Sequence, residues 1–262
     1  MIIKKDAYYP PANQNRTLHI WLPDNYYETE ERYPVMYFFD GHNLFDDNDA
    51  TYGTCWGFRD FLSHWDKQII LVGMECSHEG DARLSEYCPY EKRMFGKTIH
   101  GIGDATFQWI IHDIKPMIDR EYRTYGHREA TGIGGSSMGG IMAVYGGLAY
   151  NHVFSKAACV SPAVFWNLSN FRRTMNASHI ERDSKFYLSW GEFEGGKPAH
   201  NGNPQWDTRE ARSQHKFARE LQDRGAMAFV CYQPGGSHSE ASWREQVPHI
   251  MEYLWKDNPY EF

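Results

Sequence analysis

The segment best suited to carry chemistry is Gly134-Gly135-Ser136-Ser137-Met138-Gly139-Gly140, which follows an apolar run at 130–133 and leads into a stretch of helical period. A serine hydroxyl becomes a useful nucleophile at neutral pH only beside a base that takes its proton, and that base works best when an acid orients it. A strand turning sharply into a helix presents such a serine, with glycine two residues before and two after because the turn leaves no room for side chains there. Ser137 meets this spacing through Gly135 and Gly139, whereas Ser136 has Gly134 before it but Met138 after it. Ser137 is the expected nucleophile. The Met138 N–H, opening the helix, is the expected donor to a developing oxyanion, aided by the helix dipole. The competing reading, a glycine-rich phosphate loop, lacks the lysine that such a loop requires.

On a turn of this kind the partners follow in the order serine, acid, histidine. His238 lies in Gly235-Gly236-Ser237-His238-Ser239, just after the last strand-like run, and is the expected base; His200, His215 and His249 are worse placed. Three carboxylates compete for the acid. Glu194 follows the strand-like run 186–190 in a glycine-bounded turn and is preferred; Glu192 is expected to face substrate or solvent, and Asp207 to cap the helix that begins beside it. A bare Ser–His dyad is the remaining alternative.

The elements that must position these residues alternate between short β-rich runs and longer amphipathic stretches, the pattern of an α/β fold with a mostly parallel sheet covered by helices. Strands are expected at 17–22, 35–39, 69–74, 130–133, 157–161, 186–190 and 228–232, the first antiparallel at the sheet's edge. Helices are expected at 103–119, 139–150, 208–224 and 240–255. No repeat or low-complexity linker divides the 262 residues, so a single domain over 1–262 is expected.

The net charge of −7 is spread without a basic stripe, which argues against a nucleic-acid partner. The opening residues lack the apolar stretch of a secretory signal, and the longest apolar runs are too short to cross a bilayer, so a soluble cytoplasmic protein with no membrane association is expected. Five cysteines, odd in number and without a CxxC pair, suggest reduced thiols. Thirteen histidines show no HExxH or paired-ligand spacing, so neither metal nor cofactor is expected.

Four motifs in order carry a resemblance over nearly the whole chain. They are Tyr33-Pro34-Val35-Met36-Tyr37-Phe38-Phe39-Asp40-Gly41-His42-Asn43-Leu44-Phe45, the Ser137 turn, Ser161-Pro162-Ala163, and the His238 loop with Trp243-Arg244. Together they resemble the Putative esterase family of α/β-hydrolases, which includes enterochelin, feruloyl and acetylxylan esterases, S-formylglutathione hydrolases and mycolyltransferases. The resemblance implies that the His42 backbone N–H is the second oxyanion donor, and that an acid follows a strand-end glycine by a few residues, as Glu194 follows Gly191. Glu192 stands where the family usually has a small residue. Asn43, Trp56, Trp166 and Trp243 fall in or beside segments that surround the pocket in such folds, with core packing the alternative for the tryptophans and the favoured one for Trp243. Arg83-Leu84-Ser85-Glu86-Tyr87-Cys88-Pro89 is either a further family patch or a salt-bridged loop.

The expectation is a carboxylic ester hydrolase working through an acyl-enzyme on a small ester: a feruloylated or acetylated oligosaccharide, a siderophore ester or a xenobiotic. Acyl transfer to a sugar or alcohol is the alternative within catalysis, and a non-catalytic binding protein on the same scaffold is the alternative outside it. The acyl group, the alcohol and the oligomeric state are not legible.

Overall fold

The computed structural model describes residues 1–94, 96–194 and 208–256. Eight strands form one sheet: β1 (Ile2–Tyr9), β2 (Gln14–Trp21), β3 (Val35–Phe39), β4 (Ile70–Met74), then, beyond a small hairpin of β5 (Lys92–Met94) and β6 (Lys97–Ile99), β7 (Thr131–Ser136), β8 (Lys156–Val160), β9 (Lys185–Gly191) and β10 (Met227–Gln233). Their order across the sheet is β1-β2-β4-β3-β7-β8-β9-β10. From β4 to β10 every pairing is parallel; β2 is antiparallel to both β1 and β4. The first expected strand is thus antiparallel but not at the edge, because β1 lies outside it. Lys4, Lys5 and Asp6 interrupt the apolar content of β1, as suits an edge strand that must not pair further.

Side chains alternate between two cores because a parallel sheet is covered on both faces. Val35, Tyr37 and Phe39 point into one cluster, while Met36 and Phe38 point into the other. The helices are α1 (Phe58–His64), α2 (Ala82–Glu86), α3 (Gly103–Trp109), α4 (Lys115–Glu121), α5 (Met138–Ala149), α6 (Val164–Ala177), α7 (Arg209–Gln222) and α8 (Glu240–Trp255). A π-helical turn, Ile110–Ile114, joins α3 to α4, so the expected helix at 103–119 is one rod with a wide turn inside it. On α8, Trp243, Val247, Ile250, Met251 and Leu254 recur at helical spacing and fill the second cluster.

The expected cap of α7 is corrected: Thr208 is the N-cap, its side chain accepting from the Ala211 N–H at 3.0 Å, and Asp207 lies outside the described residues, as does His200. No described helix is long and apolar enough to cross a membrane. All five cysteines are free thiols, four of them buried.

Candidate active site

The carboxyl ends of the parallel strands meet at one edge of the sheet, and the turn from β7 into α5 lies in the middle of it. Ser137 occupies that turn with φ 55° and ψ −117°, a conformation that costs a residue with a Cβ about 1–3 kcal/mol. The surrounding glycines are steric necessities. A Cβ on Gly135 would lie 2.7 Å from the Gly139 carbonyl carbon, and one on Gly139 would lie 3.0 Å from the Phe39 Cβ. The strain is held in place by the Ser137 N–H, which donates to the Val160 carbonyl at 2.9 Å.

His238 sits on the loop between β10 and α8. Its Nε2 lies 2.9 Å from Ser137 Oγ and its Nδ1 2.8 Å from Glu194 Oε2. The Glu194 carboxylate is almost fully buried, with 1% of its side chain exposed. Its other oxygen, Oε1, accepts from the Ser161 hydroxyl at 2.6 Å and from the Gly191 N–H at 2.8 Å. Ser161, itself at φ 47°, is oriented by the Trp243 indole N–H, which donates to its hydroxyl oxygen at 3.0 Å. Trp243 also packs edge-on against the His238 ring, centroids 5.0 Å apart. Every oxygen of the carboxylate therefore has a donor, which is what allows a charge to remain in so dry a place.

Glu192 plays a different part from Glu194. Its Oε2 accepts from the Gly235 N–H at 2.8 Å, while the Phe193 N–H donates to the Gly236 carbonyl at 2.8 Å. The turn after β9 is thereby fastened to the turn after β10, so the segments carrying Glu194 and His238 are held as one unit. The supporting roles of Ser161 and Trp243, and this fastening, are not legible in the sequence, although the Ser161-Pro162-Ala163 and Trp243-Arg244 motifs mark the places.

Asp40, after β3, adopts a left-handed conformation (φ 58°) and opens a short 3-10 turn, Gly41–Asn43. The turn lies so close to β4 that a Cβ on Gly41 would meet the Gly73 carbonyl carbon at 2.4 Å. Arg83 on α2 grips Asp40 through two hydrogen bonds, at 2.8 and 2.7 Å. Burial alone would raise the Asp40 carboxyl's pKa, but the Arg83 charge and hydrogen bonds outweigh it and hold it below the usual carboxylate range. Glu86, three residues beyond Arg83 on α2, pairs with Arg16, so 83–89 is a salt-bridged segment. The N–H groups of Met138 and His42 both belong to first helical turns, where amides lack intrahelical acceptors.

Beside Ser137 and His238 opens a cavity of about 480 Å³, lined among others by Leu84, Met138, Phe165, Trp166, Trp190 and Glu194. Trp166 is 49% exposed and forms part of its wall. Trp56, expected there, is 1% exposed and stacks instead on Phe58 and Trp243 beneath the sheet, because α1 and α8 close over it. Asn43 also departs from a substrate-facing role. It is buried, its Oδ1 accepts from the Thr51 N–H at 2.9 Å, and its Nδ2 reaches Glu240 at 3.4 Å, so it ties the 3-10 turn to α8. Burial, reinforced by the negative charge of Asp40, raises the Glu240 pKa.

A mostly parallel sheet with antiparallel strands at one end, and a serine, histidine and carboxylate converging at its carboxyl edge, define an α/β-hydrolase fold. The family model described as Putative esterase matches residues 11–254, and the chain belongs to that family of esterases. It is 21% identical over 253 residues to the uncharacterized protein YbbA of Bacillus subtilis (strain 168), covering 93% of this chain and 94% of YbbA. It is 25% identical over 240 residues to Esterase Rv1288 of Mycobacterium tuberculosis (strain ATCC 25618 / H37Rv), covering 89% of this chain but only 45% of that protein. Among solved structures, an IroE-like serine hydrolase from Shewanella oneidensis superposes with a TM-score of 0.71 at 18% identity, over 95% of this chain and 81% of that one.

Proposed function

We propose that the chain hydrolyses carboxylic esters through a covalent acyl-enzyme formed on Ser137. The observation that carries this reading is the unbroken contact from Ser137 Oγ through the His238 imidazole to the buried Glu194 carboxylate, opening on a cavity. Glu194 accepts from His238 Nδ1–H and so leaves Nε2 free to take the serine proton as Oγ attacks the ester carbonyl. The carbonyl oxygen becomes an oxyanion facing the Met138 and His42 N–H groups, whose fixed dipoles need no reorganisation as charge develops. His238, now protonated, gives its proton to the departing alcohol. Water then repeats the sequence on the acyl-serine, and the acid is released.

The walls formed by Phe165, Trp166 and Trp190 favour a planar, aromatic acyl or aryl group over a long flexible chain. Feruloyl-type and catechol-bearing esters are the substrates of choice for a first screen, against acetyl esters as reference. The test is labelling by a fluorophosphonate probe with mass mapping, together with Ser137→Ala. Labelling at Ser137 and a loss of about 10³-fold or more in kcat/KM are expected. Full activity in Ser137→Ala would end the proposal.

A further inference from the structure

On the far side of the same 3-10 turn lies a cluster that the ester chemistry does not use. The side chain of His42 points away from its backbone role: Nε2 lies 2.9 Å from the Thr51 hydroxyl, and the ring sits 4.6 Å, centroid to centroid, from that of His78. Glu75, directly after β4, places Oε2 3.2 Å from His78 Nε2, and its Oε1 lies 2.6 Å from Nε2 of the buried His19 on β2. One ligand atom each from His42, Glu75 and His78 falls within 4.8 Å of the others. The decisive feature is His42 Nδ1. The residue is 7% exposed, and this nitrogen is buried without a hydrogen-bond partner. An orphaned polar atom in such a place is costly unless something else satisfies it.

We propose that His42, Glu75 and His78 bind a divalent cation of the zinc class. Two imidazoles and one carboxylate are the donor types such an ion takes, with a fourth position left to water. In a tetrahedral site with bonds near 2.0–2.1 Å, neighbouring ligand atoms stand about 3.3 Å apart, close to the present 3.2 Å between His78 and Glu75. His78 is exposed and on a loop, so a modest turn of its ring closes the remaining gap. The outer contacts have the form that metal sites use: the Thr51 hydroxyl is placed to accept from His42 Nε2–H, the tautomer that would leave the lone pair on Nδ1, and His19 holds the second Glu75 oxygen. The absence of paired-ligand spacing in the sequence is explained by topology, since the donors come from the loop after β3 and the loop after β4, with His19 supporting from β2.

The test uses the full chain stripped with EDTA, returned to chelator-free buffer and titrated with ZnCl2 by calorimetry beside a weak competing chelator that silences scattered surface histidines. CoCl2 is added in parallel and followed by visible absorption. Wild type is expected to take up one Zn²⁺ per chain and to show the intense bands of four-coordinate Co²⁺. His78→Ala, an exposed position whose fold is checked by circular dichroism, should lose both, and Thr51→Val should weaken binding by about 10- to 100-fold. Absence of a bound equivalent in wild type, or identical uptake in His78→Ala, overturns the site. The readouts involve no ester, so they are independent of the proposed activity.

Discussion

Replacing Glu194 by glutamine keeps the shape of the side chain and removes its charge, and the surroundings of the carboxylate dictate the result. Three donors converge on it: Ser161 Oγ–H and Gly191 N–H on Oε1, and His238 Nδ1 on Oε2. If the new amide keeps its oxygen toward Ser161 and Gly191, its NH2 faces His238. The imidazole must then present an unprotonated Nδ1 and carry its proton on Nε2, aimed at Ser137 and unable to accept. If the amide is turned over, its NH2 meets the Gly191 N–H, which cannot rotate away, and a buried donor is left unsatisfied at a cost of about 1–3 kcal/mol. The first orientation is the cheaper in stability and the worse for catalysis. We expect kcat to fall by about 10²- to 10⁴-fold, or about 3–5 kcal/mol, with little change in KM. Ser161→Ala removes one donor and leaves the charge, so kcat should fall no more than about tenfold while stability drops by about 1.5–3 kcal/mol. Steady-state hydrolysis of a nitrophenyl ester, with urea unfolding of each variant, reads both quantities. Activity of Glu194→Gln within a few-fold of wild type, or a greater loss in Ser161→Ala, would refute the reasoning.

Three further outcomes are expected. Ser137→Gly should be about 1 kcal/mol more stable than Ser137→Ala, raising Tm by about 2–4 °C, because the strain that glycine avoids at φ 55° outweighs its larger entropic cost of ordering; equal melting temperatures would contradict the strain. His215 is held down to about 4, first by burial and then by the Arg219 charge. Its contribution is complete above the unfolded value near 6.5 and is lost as pH falls from there toward 4, when the unfolded chain binds a proton that the fold refuses. His215→Gln should therefore flatten the stability profile over that window, and parallel profiles would exclude the effect. Trp166→Ala should raise KM for aromatic acyl esters by about tenfold, roughly 1.4 kcal/mol, and leave acetyl esters nearly unchanged.

The parts of the fold legible in sequence were those governed by local rules. The Ser137 turn is steric, and the glycine spacing records that directly. Order along the chain points to His238 and Glu194, which the structure brings together beside Ser137, and the preference for Glu194 over Glu192 rests on the reach of one side chain from a glycine-bounded turn. Less was visible where partners come from afar. Strand β1 is masked by its lysines, and α6 begins after a left-handed Ala163 with no capping side chain, so neither announces itself. Trp56 lies in a segment that borders the pocket, yet its side chain turns inward to Phe38 and Trp243, a packing choice that no local pattern encodes. Ser161, the third support of the carboxylate, is 33 residues from Glu194 and 82 from Trp243.

The order in which the site is threaded has a consequence for the chain as it is made. Ser137 and its two neighbouring strands are complete early, but the imidazole that would take the serine proton arrives only on the loop before α8, and Trp243 on that helix completes the support of Ser161 and packs against the imidazole. A growing polypeptide thus carries Ser137 without its imidazole for the 101 residues that separate it from His238. On the proposed mechanism, reactivity would await the docking of the last described helix, and a chain released before it would be inert instead of an unregulated acylating agent.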